Sequence, residues 1–321
     1  MNYSSKDYLS HSEERISRLR KIINGRPVAI LAAGPSIKEL EERISELRHT
    51  DICYLGLNKF FVQENNILQK IDKKVSIFTC SGREGMPEVM NETINFLNRN
   101  EDNMFISSFW RDSFGLLDHD FNLEQFLRDY DKKVLFFSLN RKKNVPNNDY
   151  PLHFIETNSL LILIQMAQIG RAESIVLFGA DGHGGENVNE YYYRQNEYEV
   201  KGWNGVNEAL ISDTMRYFNP IASFAIRNTC KTYGLPLINI LNCSLNSCYT
   251  PFPKISYDGA FEYLLKGKKV IGKLDLRVPR KPKMPNAFVL FAQKIVNFWK
   301  RYKWSSFRLV LAKVWHKLMT F

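Results

Sequence analysis

Two stretches of this 321-residue chain carry the residue types of a reactive site. In Phe178-Gly179-Ala180-Asp181-Gly182-His183-Gly184-Gly185 a carboxylate and an imidazole stand two residues apart among four glycines. Glycine lets backbone approach a ligand closely. Asp181 is equipped to accept a proton or bind a hydroxyl, and His183 to act as a base or to meet a diphosphate as imidazolium. Tyr191-Tyr192-Tyr193-Arg194 adds phenols and a guanidinium suited to a leaving phosphate, so Gly179 and Tyr193 join the expected nucleotide-contacting residues. The plain alternatives are a glycine-rich turn capped by its Asp and tyrosines that only pack. In the second stretch, Gly34-Pro35-Ser36, a helix starting at Pro35 or Ser36 would aim unpaired N–H groups at whatever lies beyond it, which suits a phosphate. The alternative is a well-formed helix start; the turn is neither a Walker loop nor G-x-G-x-x-G.

Two smaller clusters could hold a base or ribose. Glu156-Thr157-Asn158-Ser159 precedes an apolar helix, and N-capping accounts for one of its residues but not all four. Asn58 follows an apolar run, where a turn asparagine is the alternative. Asp118-His119-Asp120 is spelled like a metal site but reads as the acidic start of a helix, and His11, His49, His153 and His316 have no second ligand at metal spacing. No metal site is expected.

These residues need strands and helices to converge. Pro27 to Ala33 is a continuous apolar run of strand length, stopped by Gly34-Pro35-Ser36 and followed by Ile37, Leu40, Ile44 and Leu47 at helical intervals. Similar runs recur at Ile52 to Leu57, Lys74 to Thr79, Met104 to Ser108, Lys133 to Ser138, Ser174 to Gly179 and Leu235 to Leu241, mostly separated by helical periods. The alternation predicts an α/β fold with a doubly wound, mostly parallel sheet. Leu160 to Ile169 is the most apolar helical segment and is predicted to lie buried against the sheet. Residues 1–25 read as a leading amphipathic helix closed by Asn24-Gly25.

Charge is unevenly placed. The chain carries 44 Lys and Arg against 34 Asp and Glu, a net +10, yet residues 266–321 alone hold fifteen basic side chains and one acid. That tail is +14 and the rest of the chain −4. Pro279 to Pro285 places three prolines in seven residues, a stiff linker and a boundary. Beyond it, Trp304, Phe307, Leu311, Val314 or Trp315 and Leu318 recur every three or four residues, a basic aromatic amphipathic helix suited to an anionic membrane surface. Packing of that helix on protein is the alternative. The expected division is 1–25, a catalytic domain over 26–278, and a tail over 279–321. Five cysteines without a C-x-x-C pair suit buried thiols in a reducing compartment, and no window reaches the apolar length of a membrane span. A cytoplasmic protein, peripheral on the inner face of the membrane, is expected.

In order, Val28 to Ser36, Leu57-Asn58, Thr157-Asn158-Ser159, Ile175 to Asp181 and Ile240 to Ser247 resemble the motifs of one superfamily. It comprises the bacterial family-42 sialyltransferases and a related group of archaeal 6-hydroxymethylpterin diphosphokinase and motility-associated glycosyltransferases. The ending Phe252-Pro253-Lys254-Ile255-Ser256-Tyr257 is similar to members of the second group associated with surface polysaccharides. The resemblance covers roughly residues 26–262. It implies a Rossmann-like domain and metal-independent, inverting transfer from a nucleotide-activated sugar (CMP-, CDP- or UDP-linked) to a glycan or glycolipid. Gly34-Pro35-Ser36 would meet phosphate, Asn58 and Thr157 to Ser159 would hold the nucleoside, and His183 would stand where the sialyltransferases place a phosphate-binding tyrosine. Ala33 replaces their asparagine, and Met215-Arg216-Tyr217-Phe218 occupies the region of their catalytic histidine. Asp181 and His183 are therefore the expected catalytic pair, with no cofactor required. A diphosphokinase transferring pyrophosphate from ATP, needing Mg²⁺, is the alternative enzyme. A non-catalytic membrane- or nucleic-acid-binding protein is the alternative outside enzymes, whereas the transferase reading expects no nucleic-acid partner.

Overall fold

The structure is a computed structural model that describes residues 11–58, 60–80, 87–107, 123–136, 158–182 and 218–266. In chain order the elements are α1 (Ser12–Ile23), β1 (Val28–Leu31), α2 (Ile37–Arg43), β2 (Cys53–Leu57), α3 (Phe60–Asn66), β3 (Ile77–Thr79), α4 (Pro87–Arg99), β4 (Met104–Ser107), α5 (Leu123–Tyr130), β5 (Val134–Phe136), α6 (Ser159–Ile169), β6 (Ser174–Phe178), α7 (Asn219–Tyr233), β7 (Asn239–Asn242) and α8 (Tyr257–Lys266). The chain divides into two units, Met1–Val278 and Pro279–Phe321, and every described residue belongs to the first.

The seven strands form one all-parallel sheet in the order β5-β4-β3-β2-β1-β6-β7. β1 is an interior strand, with Val28 opposite Cys53 of β2 on one side and Ile175 of β6 on the other. Its four residues are all buried, as a strand covered on both faces must be. Period-two alternation divides its side chains: Ala29 and Leu31 enter one core layer with Leu40, Phe96 and Phe261, while Val28 and Ile30 enter the other with Leu19, Leu163 and Ile226. Helices α2, α4, α5 and α8 thus cover one face and α1, α6 and α7 the opposite one. This is a Rossmann-like doubly wound α/β fold, as the run of apolar segments predicts.

All eleven residues of α6 are buried, which fits a helix apolar on every side and packed over the middle of the sheet. Two buried glutamines interrupt that apolarity and tie α6 to α7: Gln165 Nε2 donates to Thr229 Oγ1 at 2.9 Å and Gln168 Nε2 to Cys230 Sγ at 3.1 Å. At the far edge the buried Arg15 of α1 donates to the Asp131 carbonyl at 2.6 Å and reaches its carboxylate at 3.4 Å. That pairing fastens the leading helix beside β5.

The strands are shorter than the apolar runs that mark them, and two show why. Leu235 to Leu241 narrows to Asn239–Asn242 because Gly234, at φ +61°, ends α7 and folds the Leu235 N–H back to the Cys230 carbonyl at 2.8 Å. Lys74 to Thr79 narrows to Ile77–Thr79, the Val75 N–H being taken by the Glu64 carboxylate at 3.0 Å.

Candidate functional site

The chain runs outward from β1 through β2 to β5, and β6 and β7 lie on the other side, so the order of strands reverses between β1 and β6. Open parallel sheets bind ligands in the crevice beyond the carboxyl ends of the strands at such a reversal. Gly34-Pro35-Ser36 leaves β1 there, and Gly179-Ala180-Asp181 leaves β6 beside it.

The two loops are joined by contacts that only glycine permits. Pairing runs past the strands through Ala32 N–H to the Phe178 carbonyl (2.8 Å) and Gly34 N–H to the Gly179 carbonyl (2.9 Å). A Cβ on Gly34 would lie 1.9 Å from Asp181 Oδ2, and one on Gly179, itself at φ +67°, would lie 2.4 Å from the Ala32 carbonyl oxygen. The Asp181 carboxylate thereby rests on the turn: the Ser36 N–H donates to Oδ2 at 3.2 Å and the Ser36 hydroxyl at 3.0 Å. With that hydroxyl proton committed, Ser244 donates to Ser36 Oγ across 2.6 Å, giving a directed chain Ser244, Ser36, Asp181. Tyr257 donates to the Ser36 carbonyl at 2.8 Å, and burial pushes its phenol well above the usual range, with Cys243, Glu39 and Asp181 adding to that shift. Tyr257 is therefore a neutral donor there.

This arrangement corrects one expectation about the turn. Its donors are not unpaired: the Ile37, Lys38 and Glu39 N–H groups fold back on the Gly34, Pro35 and Ser36 carbonyls at 3.2, 3.2 and 3.3 Å, and Ser36 N–H meets Asp181. α2 begins at Ile37, and a carboxylate already stands where an anion would meet the turn. What the clamp leaves open is Asp181 Oδ1, which has no hydrogen-bond partner among the described residues although the residue is only 5% exposed. A fixed carboxylate with one free oxygen can receive a hydroxyl and take its proton.

The loop after β7 completes the wall. Asn242 donates to the Ala180 carbonyl (3.1 Å) and accepts from the Ser244 N–H (3.0 Å), Ser247 Oγ donates to the same Ala180 carbonyl (2.6 Å), and the Cys248 N–H donates to the Asp181 carbonyl (2.8 Å). Ser244, Asn242 and Tyr257 lie outside the residues that the sequence marks as a site. The signal was Asn242-Cys243-Ser244-Leu245-Asn246-Ser247, a polar repeat directly after a buried strand.

A second cluster lies on the other side of β1. Asn58 sits at φ +55° as β2 ends, its N–H bound to the Thr79 carbonyl at 2.8 Å. Its Oδ1 accepts from Ser159 Oγ at 3.4 Å, and its Nδ2 has no partner among the described residues. Asn158 caps α6, accepting from Leu160 N–H at 2.9 Å and Leu161 N–H at 3.4 Å, so capping explains this member of the polar cluster. β2 and β6 flank β1, two strand spacings or about 10 Å apart, comparable to a nucleoside monophosphate. Thr157, His183 and Tyr193 lie outside the described residues, as do Asp118-His119-Asp120 and the tail.

Among the described residues no group of three or more His, Cys, Asp or Glu side chains is placed to hold a metal ion, and no helix is long and apolar enough to cross a membrane. The chain matches no protein-family model and no curated protein.

Proposed function

We propose that this chain is a nucleotide-sugar-dependent glycosyltransferase, sialyltransferase-like, inverting and metal-independent, acting in surface polysaccharide or lipooligosaccharide assembly. The observation that carries the reading is the clamped Asp181 at the strand-order reversal, one oxygen held by Ser36 and the other free. In this reading the nucleoside lies over Asn58 and Ser159, and its phosphate crosses the end of β1. The acceptor hydroxyl gives its proton to Asp181 Oδ1 as its oxygen bonds to the anomeric carbon. The bond from that carbon to the phosphate oxygen breaks, and the nucleotide leaves with the bonding pair. His183 assists at the leaving phosphate. The +14 tail supports a site at the inner face of the membrane, near a lipid-linked acceptor.

A thermal-shift and calorimetric screen of the full chain against CMP, CDP, UDP, GDP and ATP, with and without Mg²⁺, tests this. Saturating ligand raises stability by RT ln(1 + [L]/Kd), so a micromolar binder is readily seen. Metal-independent stabilisation by a cytidine or uridine nucleotide is expected. Stabilisation by Mg-ATP alone would replace this reading with the diphosphokinase, and no response would remove both.

A further inference from the structure

The Gly34-Pro35-Ser36 turn has spent its donors on Asp181 and on its own carbonyls, so a phosphate in this crevice needs another positive partner. One stands at the neighbouring strand end. After β7 the chain loops out and returns, and Lys254 bridges back to Asn242 at the carboxyl end of the strand. Its ammonium donates to the carbonyl oxygens of Ser247 at 3.0 Å and Tyr249 at 3.1 Å, the residues on either side of Cys248. The Cys248 N–H in turn holds the Asp181 carbonyl. The loop that walls the crevice therefore also fixes the lysine, through two backbone oxygens that carry no net charge.

An ammonium has three donors. Two are used here, and among the described residues Lys254 forms no salt bridge. Several arginines elsewhere are paired with carboxylates, among them Arg15 with Asp131, Arg43 with Glu46 and Asp258, and Arg99 with Glu64. Lys133 is held as Lys254 is, by the Leu97 and Asn100 carbonyls, but beside β5, whereas Lys254 is fixed by the loop that binds the Asp181 carbonyl. The geometry points to Lys254 as an anion site that receives the phosphate of the leaving nucleotide, its remaining N–H donating to a phosphate oxygen. Although the residue as a whole is exposed, partial withdrawal from water pulls its pKa down to about 8, against smaller raising effects of Cys248 and Asp181. A bound phosphate would compensate that desolvated charge. The inference rests on the proposed binding of a nucleotide at this strand-order reversal.

The test is calorimetric titration of the full chain with inorganic pyrophosphate, and in parallel with CMP, UMP and their nucleosides, for the wild type, Lys254→Met and Lys254→Arg. Lys254→Met is expected to weaken pyrophosphate binding by about tenfold or more and to erase most of the affinity that CMP or UMP gains over its nucleoside, with nucleoside binding unchanged. Lys254→Arg, which keeps the charge, is expected to retain pyrophosphate binding. Raising the pH from about 7 to about 9 deprotonates free Lys254, so wild-type pyrophosphate affinity falls by about tenfold while that of Lys254→Arg does not follow. Cys248 and Asp181, the titratable groups acting on Lys254, are present in both proteins, so the difference between them reports the lysine. No pyrophosphate binding by the wild type, or equal binding by Lys254→Met, would overturn the site. If nucleotides bind in that case, the transferase reading survives without it. If pyrophosphate binding depends on Lys254 but no nucleotide or nucleoside binds, the anion site stands and the transferase reading falls.

Discussion

A single methyl group separates a working clamp from a broken one at Gly34. Because a Cβ there would lie 1.9 Å from Asp181 Oδ2 and 2.5 Å from the Gly179 carbonyl oxygen, Gly34→Ala must push the carboxylate away or part the two loops. Overpacking of this kind costs about 1–3 kcal/mol, so the midpoint of urea denaturation is expected to fall, with nucleotide stabilisation lost. Asp181→Asn separates charge from shape. The amide oxygen can still accept from Ser36 N–H and Oγ–H, so the unfolding temperature should change little, whereas transfer to an acceptor falls by about a hundredfold or more as the base is lost. Turnover near that of the wild type would remove Asp181 from catalysis and leave it as a support for the turn.

At the scale of elements, α6 is the helix on which both fold and site depend. Its eleven residues are buried, its start lies at Asn58, and its middle touches α7 through Gln165. Leu163→Ala is expected to destabilise the protein by about 2–5 kcal/mol, the range for a large core side chain removed without collapse of the site. Asn158→Ala should cost only about 1 kcal/mol, the value of a lost cap, yet weaken nucleoside binding because Ser159 shifts with the frayed first turn. Equilibrium denaturation and cytidine or uridine titration of the two variants check this. Equal losses of stability would show that the cap is no separate device.

The charge asymmetry belongs to the whole molecule. Residues 1–265, at −4, have little reason to meet an anionic surface, and residues 266–321, at +14, have a strong one. Each Lys or Arg near such a membrane contributes about 1 kcal/mol, so removing residues 279–321, which hold ten of the fifteen basic side chains of residues 266–321, is expected to abolish co-sedimentation with phosphatidylserine vesicles while nucleotide binding persists. Vesicle binding by the shortened chain equal to that of the full chain would overturn the membrane assignment.

Much of the fold was legible because its signals are local. Each strand of a fully covered parallel sheet is a short apolar run, so Val28–Leu31, Cys53–Leu57 and Ser174–Phe178 stand out, and α6 is apolar all round because nothing around it is water. Gly34, Gly179 and Asp181 stood out as candidates because each lies directly after a buried apolar run, at the carboxyl edge of the sheet. Strand order was not legible, since parallel neighbours are chosen by crossover helices and not by sequence proximity. That order decided that Ser36 and Asp181, 145 residues apart, would share a proton, and that the turn expected to receive a phosphate would receive a carboxylate instead. The fold also brought Ser244 beside that turn and Lys254 back to the end of β7, residues that lie in the motifs after β7 but were not marked as site residues. Local composition determined which elements form and where chemistry is affordable; only the closing of the sheet determined which donors remain free, because a hydrogen bond made to a distant strand end leaves no trace in the residues beside it.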